Sequence, residues 1–276
     1  MHYTVAVITK EGGESAIDEL LAPFNENIEV EPYIYKTKEE IIKDFRESVE
    51  SLKKDMEAYA NGTYDTEKYR LYWLKEDSNE LTDRTKERLE LYEKTDEEIY
   101  QWYRDGDDDE HYDEDGNELS TYNPKSKWDW YTIGGRWEGY FKLKEDPTKT
   151  VNSAKLDEIQ WEGTKEELDA AARFWDIVVE GAERTEKEKE NHFGFSFYKK
   201  EYYTDRYESR DDYILRSTRT CPYAVVTPEG EWVSPGEMHW FSSSESSEDK
   251  RKYEEWFTQY VKDHPDYYIT LVDCHI

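Results

Sequence analysis

The sequence predicts an α+β fold in which one mostly antiparallel sheet contains both terminal strands and is covered by helices. Three observations support this prediction: an apolar, β-branched run near the start of the 276-residue chain, a second apolar run at its end, and helical periodicity between them. The first helical stretches lie together, so the sequence also predicts a helical lobe inserted into the sheet domain.

The two apolar runs are the predicted terminal strands. Tyr3 to Thr9 reads YTVAVIT and ends before Gly12-Gly13, and Tyr267 to Ile276 reads YYITLVDCHI. Runs of this length and β-branched content are typical of buried strands. Because chain ends that are held in place usually pair with a sheet, we expect both strands to lie in one sheet.

The inserted lobe is predicted from a capping box and the periodicity that follows it. Thr37 and Glu40 form the box, and apolar residues then recur at helical spacing until Asn61-Gly62. Two further helices are predicted over about 66 to 75 and 82 to 103. The predicted helical insertion is therefore 37–104, and the predicted sheet domain is 1–36 and 105–276.

The rest of the chain mixes both types of element. Aromatic residues on both sides of Gly134-Gly135 predict two strands, WDWY and GGRW, joined by a glycine turn. Further patterns predict helices over 164–190, 198–216 and 247–262, and a hairpin over 223–233 with its turn at Glu229-Gly230.

The charge of the chain restricts its partners. It has 67 Asp and Glu against 37 Lys and Arg, a net charge of −30, and its 24 Tyr and 10 Trp supply apolar area for a core. Like charges repel, which argues against nonspecific binding to nucleic acid or anionic lipid and favours a partner with a basic surface. The sequence shows neither a membrane span nor a signal peptide, and Cys221 and Cys274 are expected to be free thiols in the cytosol.

The segment from Asn123 to Trp137 is the first candidate site. It places Asp129 and Arg136 among tryptophans that include Trp130 and Trp137. A guanidinium binds carboxylate or phosphate, and indole faces stack on rings or cations, so these four residues are predicted to contact a partner. The alternative is that the tryptophans belong to the core and that Arg136 only pairs with Asp129.

His2, Asp273 and His275 are the second candidate site. Asp273 and His275 are two residues apart and therefore lie on the same face of the last strand, with Cys274 on the opposite face. If the terminal strands pair antiparallel, His2 lies near His275. Two imidazoles and a carboxylate suit a divalent metal or a general acid/base pair. The alternative is a row of polar strand ends that hydrogen bond to loops.

An acidic run from Asp105 to Glu118 is the third candidate, with nine acids and no Lys or Arg. It does not fit an EF-hand, because Gly116 at loop position six would place His111 first and Tyr122 twelfth. The run is either a docking surface for a basic partner or a solvated turn. The acids predicted to contact the partner are Asp107, Asp108, Asp109 and Glu110.

Motifs of the common enzyme classes are absent from the sequence. It contains no GxxxxGK[ST], GxGxxG, HExxH or GxSxG motif, which argues against the nucleotide-triphosphate, dinucleotide, zinc-protease and hydrolase classes that use them. An enzyme is therefore less expected than a binding protein. No cofactor is expected beyond the divalent metal considered for the terminal histidines.

Three segments have distinctive sequences: LAPFNENIEVEPY (Leu21 to Tyr33), NPKSKWDWYTIGGRW (Asn123 to Trp137) and LVDCHI (Leu271 to Ile276). Together they resemble an uncharacterised family found in bacteriophages and some bacteria. The resemblance implies a cytosolic, phage-encoded protein and carries over no activity or catalytic residue.

Three functions are compatible with these patterns. The first is an acidic phage protein that binds and inhibits a host defence protein or nucleic-acid-processing protein. The second is a metal-dependent or acid/base enzyme for a small nucleotide-like ligand, in which Arg136 holds an anion. The third is a structural or regulatory module that binds a host peptide through its tryptophans. The distance between His2 and His275 is the observation that separates the enzyme from the other two.

Overall fold

The computed structural model describes residues 1–76, 78–106, 111–238 and 243–276. By their contacts these residues divide into a larger unit, Met1–Ile28 with Asn123–Ile276, and a smaller unit, Glu29–Tyr122. Helices and a mixed sheet that contains both terminal strands make the architecture α+β, which confirms the predicted class.

Helices and strands are interspersed along the chain. The described strands are β1 (His2–Thr9), β2 (Tyr33–Lys36), β3 (Glu118–Ser120), β4 (Trp130–Ile133), β5 (Phe141–Lys142), β6 (Thr150–Val151), β7 (Ser153–Lys155), β8 (Ala224–Val226), β9 (Trp232–Val233) and β10 (Tyr268–His275). The described α-helices are α1 (Glu14–Leu21), α2 (Lys38–Ala60), α3 (Asp83–Tyr92), α4 (Asp96–Asp105), α5 (Lys165–Val178), α6 (Glu186–Glu190), α7 (Lys200–Thr204), α8 (Arg210–Thr218) and α9 (Ser247–Asp263). Short 3-10 helices cover Ala22–Phe24 and Gly135–Trp137.

The main sheet belongs to the larger unit and has the strand order β4-β10-β1-β8-β9, with β7 also paired to β10. β1 and β10 are antiparallel over their full length, from His2 opposite His275 to Thr9 opposite Tyr268. β8 pairs with β1 in parallel, and the other described pairings of this sheet are antiparallel. Both terminal strands therefore lie inside one mostly antiparallel sheet, as predicted.

The central strands are apolar on both faces because both faces are covered. Ile8 points to the face covered by α9, where it joins Phe257 in one core cluster. Val5 and Val7 point to the opposite face and cluster with Leu21 of α1. This burial holds the polar ends of β1 and β10 in a defined position on the sheet.

A third cluster of the larger unit joins α5, α7 and α8 through aromatic rings. Trp175 of α5 packs on Tyr213 of α8 with 5.3 Å between the ring centroids. Arg173 also binds Glu188 of α6 in a two-pronged ion pair of 2.7 and 2.9 Å. This guanidinium lowers the pKa of Glu188 to about 2, so the pair persists well into the acidic range.

The smaller unit contains the predicted capping box at the start of α2. The Thr37 side chain accepts a hydrogen bond from the backbone of Glu40, and the Glu40 carboxylate accepts one from the backbone of Thr37. α2 packs on α4 through a cluster that contains Val49 and Ile99. β2 pairs with β3 in this unit, which is therefore wider than the predicted insertion 37–104.

In the described part of the chain, no helix is both long enough and apolar enough to cross a membrane.

Three of the predicted helices are interrupted, because new capping residues start a second helix within each range. The predicted helix 82–103 is α3 and α4, since Thr95 caps α4. The predicted helix 164–190 is α5 and α6, which are separated by Gly181 at φ +77° and by the cap at Thr185. The predicted helix 198–216 is α7 and α8, and Ser209 caps the second.

The predicted helix over 66 to 75 is wrong, because this segment forms turns. Asp65 accepts hydrogen bonds from the backbone of Glu67 and Lys68, which holds a local turn in place of a helix. Trp73 is then fully buried among tyrosines, with Tyr64 at 5.1 Å between ring centroids. Tertiary burial of one indole outweighs the helical propensity of this segment.

The GGRW segment is also not the predicted strand. After β4, Gly134 and Gly135 have φ values of +69° and +53°, and Gly135–Trp137 forms a 3-10 helix. The chain leaves the sheet here, and the next strand begins only at Phe141. The two glycines permit this exit because residues with a Cβ rarely adopt such φ values.

Both cysteines are free thiols, as predicted. Burial raises the pKa of the Cys221 thiol to about 12 and raises the pKa of the Cys274 thiol well above its ordinary value. Neither thiol is ionised near neutral pH, which argues against a thiolate nucleophile beside the terminal histidines.

Candidate acid/base site

The register of three strands brings the predicted terminal residues together. Trp130 of β4 lies opposite His275 of β10, which lies opposite His2 of β1. Directly opposed residues of antiparallel strands project to the same face, so these three form one row across the sheet. One step further along the strands, Thr132 and Asp273 belong to a second row on that face. We call His2, Asp129, Trp130, Asp273 and His275 the two-histidine site.

The first pair of the two-histidine site joins His2 to Asp273. Nδ1 of His2 lies 2.8 Å from Oδ1 of Asp273, and the Asp273 side chain is only 2% exposed. An ionised carboxylate only accepts hydrogen bonds, so Nδ1 carries the proton and Nε2 of a neutral ring has a free lone pair. A buried carboxylate thus orients an imidazole as a base.

The other oxygen of Asp273 is held by the glycine turn after β4. The backbone nitrogen of Arg136 donates to Oδ2 of Asp273 over 3.0 Å. A Cβ on Gly135 would lie 2.5 Å from the Cβ of Asp273 and 2.7 Å from Cγ2 of Thr132. Only glycine lets the turn approach this closely, so Gly135 is needed to complete the environment of Asp273.

Replacing Gly135 with alanine is expected to displace the turn from Asp273. The added methyl group meets neighbouring atoms at 2.5 Å, and φ at +53° is unfavourable for alanine. We expect a loss of stability of about 2 kcal/mol or more, measured by urea unfolding. Gly230→Ala is the matched control, because Gly230 has φ +80° but no atom within 4 Å of its Cβ position. Equal losses in both variants would show that backbone strain alone is responsible.

The second pair of the two-histidine site joins His275 to Asp129. Nδ1 of His275 lies 2.9 Å and 3.0 Å from the two carboxylate oxygens of Asp129. The backbone nitrogen of Trp130 donates to Oδ1 of Asp129 over 2.7 Å, which fixes the carboxylate. The His275 side chain is 32% exposed, so this pair is the more accessible of the two.

The two imidazoles contact each other and one indole. The rings of His2 and His275 are edge to face with 4.9 Å between centroids, and Trp130 is stacked on His275 at 5.4 Å and 15°. Within the described residues, Nε2 of either histidine has no hydrogen-bond partner. Two oriented imidazoles with free Nε2 atoms can accept one proton and donate another.

The metal predicted for His2, Asp273 and His275 is not tested by these contacts. Both Nδ1 atoms are engaged by carboxylates, and the described residues contain no group of three or more His, Cys, Asp or Glu side chains arranged to hold a metal ion. The divalent metal therefore stays a prediction.

The residues predicted to contact a partner in the segment from Asn123 to Trp137 differ in their exposure and contacts. Trp130 is 44% exposed, whereas Trp128 is 7% exposed and Trp137 packs against the core cluster beneath α9. Asp129 pairs with His275 and not with Arg136, whose side chain is exposed. Asp107, Asp108, Asp109 and Glu110 of the predicted acidic surface lie outside the described residues.

Sequence reasoning recognised the three terminal residues but missed two of their partners. The sequence predicts that Asp129 contacts a partner, whereas the structure pairs it with His275. The Gly134-Gly135 pair is the sequence feature that could have indicated a close approach of the turn to Asp273. A hairpin turn explains such a pair equally well. Only the register of β4 on β10 brings Asp129 and Gly135 to the terminal strands.

No family model, curated protein or solved structure matches this chain. The resemblance to a phage family stays a prediction, and the function has to be inferred from the geometry of the two-histidine site.

Proposed function

We propose that the chain is an acid/base enzyme that acts on a small nucleotide-like ligand at the two-histidine site. The observation that carries this proposal is the pairing of two adjacent imidazoles with two separate carboxylates. Each carboxylate fixes one ring and leaves its Nε2 available, an arrangement that suits general acid/base catalysis.

Hydrolysis of a phosphodiester is the reaction that two such imidazoles suit. One neutral imidazole takes a proton from water at Nε2 while the water oxygen forms a bond to phosphorus. The other imidazole, which is protonated, donates its Nε2 proton to the leaving oxygen as the phosphorus–oxygen bond breaks. The two rings finish with exchanged protonation states, and proton exchange with solvent restores them.

Two neighbouring side chains support a nucleotide-like ligand. The exposed indole of Trp130 offers a face on which a base can stack beside His275. Arg136 extends from the turn that binds Asp273, and its exposed guanidinium has no ion pair in the described part of the chain, so it is available for a phosphate. The net charge of −30 opposes the approach of a polymeric nucleic acid, which favours a small substrate.

Hydrolysis assays with two small phosphodiesters test the proposal. The substrates are 2′,3′-cyclic AMP and bis(4-nitrophenyl) phosphate, and the variants are His2→Gln and His275→Gln. We expect a bell-shaped pH profile for the wild-type protein and a loss of about 100-fold or more in each variant. His192→Asn is the control, because His192 is exposed, lies outside the site and has φ +55°, which asparagine tolerates.

Two outcomes contradict the proposal. Wild-type protein that hydrolyses neither substrate across the pH range argues against phosphodiester chemistry. Hydrolysis that survives in both histidine variants argues against the two-histidine site. Trp130→Ala separates the contribution of base stacking from that of the histidines. Loss of stacking should lower turnover of the cyclic nucleotide more than turnover of the nitrophenyl ester.

The phage inhibitor and its cytosolic location stay predictions. The net charge and the two free thiols support them. The acids that would contact a basic host protein, Asp107 to Glu110, lie outside the described residues.

A further inference from the structure

A cavity of the larger unit lies beside α9, and its lining contains no residue of the two-histidine site. It has a volume of about 280 Å³, and its inner wall contains the side chains of Leu156, Trp161 and Phe257. These three side chains are 0%, 8% and 1% exposed, so the wall is part of the core beneath α9. Trp161 donates its Nε1 hydrogen to the carbonyl of Leu156 over 2.9 Å, which fixes the orientation of the indole. We call this space the α9 cavity.

Arg219 is the half-buried charged group in the wall of the α9 cavity. Its guanidinium donates one hydrogen bond, from Nη1 to Oγ1 of Thr258 over 3.1 Å, and no carboxylate of the described residues pairs with it. Arg216, one turn earlier, instead pairs with Glu254 at 2.6 Å. A guanidinium has five N–H donors in a planar fork, so Arg219 retains donors for an anion.

Four other charged residues surround the opening of the α9 cavity, and all are exposed. They are Lys144, Asp157, Glu162 and Lys262. Two positive and two negative charges cancel at long range, and Lys144 donates to the carbonyl of Asp157 over 2.8 Å. Arg219 therefore gives the opening a net positive charge, on a chain whose overall charge is −30.

We propose that the α9 cavity binds a small apolar carboxylate, whose ring or branched chain lies on the inner wall and whose carboxylate binds Arg219. The planar guanidinium matches a carboxylate in a two-pronged contact, and the indole of Trp161 provides an aromatic contact for the apolar part. The volume is at the lower end of the range for ligand pockets, which fits one ring system and excludes a long lipid chain.

The α9 cavity is separate from the two-histidine site. Pro265, which lines the cavity, precedes β10, whereas His275 ends that strand. Tyr268 and His275 are seven residues apart, which is roughly 23 Å at about 3.3 Å per residue. The ligand of the α9 cavity therefore does not share the acid/base residues, and this inference does not depend on the proposed reaction.

Calorimetric titration with a matched acid and amide tests the proposal. The probes are indole-3-acetate and its neutral analogue indole-3-acetamide. We expect the acid to bind the wild-type protein at least about tenfold more tightly than the amide, because the amide cannot form the charged contact to Arg219. Equal affinities, or no binding of the acid at millimolar concentration, would overturn the proposal.

Three variants locate the probe. Arg219→Met should remove the preference for the acid, and Arg219→Lys should restore part of it, because lysine keeps the charge but loses the fork. Val261→Phe fills the α9 cavity and should abolish binding of both probes. Lys252→Met is the control, since Lys252 pairs with Glu248 outside the cavity. An acid preference that survives in Arg219→Met, or binding that survives in Val261→Phe, would place the probe elsewhere and overturn the proposal.

Discussion

Trp128→Ala is expected to destabilise the larger unit by about 3 to 5 kcal/mol, the usual effect of removing a fully packed aromatic side chain. Trp128 is 7% exposed and belongs to the core cluster that α1 covers. Its Nε1 donates to the carbonyl of Leu21 over 3.1 Å, so the substitution also leaves a helix carbonyl without its partner. Urea unfolding followed by circular dichroism measures this loss.

Trp130→Ala is the matched variant, two residues away. Trp130 is 44% exposed and contacts the rings of His2 and His275, so we expect a loss of only about 1 kcal/mol or less. Ligand binding at the two-histidine site should nevertheless weaken. Equal losses of stability in the two variants would contradict the exposed position of Trp130.

Asp273→Asn is expected to lower the proposed activity about 100-fold to 10,000-fold, as much as the loss of His2 itself. His2 and the backbone nitrogen of Arg136 bind different oxygens of Asp273, and an amide keeps only one of those two oxygens as an acceptor. If the oxygen remains on Arg136, the amide nitrogen faces Nδ1 of His2 and donates to it. His2 then carries its proton on Nε2 and no longer acts as a base.

The tautomer of His2 gives a direct measurement that requires no substrate. Nitrogen-15 chemical shifts should show Nδ1 protonated in wild-type protein at a pH where the ring is neutral, and Nε2 protonated in Asp273→Asn. Asp176→Asn is the control, because Asp176 pairs with Arg210 in another cluster. An unchanged tautomer in Asp273→Asn would show that this carboxylate does not orient His2.

The terminal strands were predictable because their signal is local. Runs such as YTVAVIT show a buried strand by composition alone, and the two-residue spacing of Asp273 and His275 places them on one face. Antiparallel pairing of β1 and β10 then sets His2 opposite His275. The start of α2 was equally predictable, because both partners of its capping box, Thr37 and Glu40, lie within one helical turn.

The tryptophan segment shows where local signals end. The three tryptophans of this segment look alike in the sequence. In the structure, Trp128 is buried, Trp130 is exposed and Trp137 is half-buried. Their burial depends on which face of β4 is covered and on how the chain leaves the strand at Gly134. A strand and a 3-10 helix are both compatible with GGRW until the carboxylate of Asp273 binds the turn.

The sequence by itself determined the α+β class, the two terminal strands, the start of α2 and the common face of Asp273 and His275, because each depends on periodicity or spacing within a few residues. Only the tertiary structure decided that Asp129 binds His275, that Gly135 lies against Asp273 and that Arg219 lines a cavity without a carboxylate partner among the described residues. The hydrogen bonds among these contacts join residues between 39 and 146 positions apart in the chain. Their formation depends on strand register and on packing across the sheet, which no local pattern specifies.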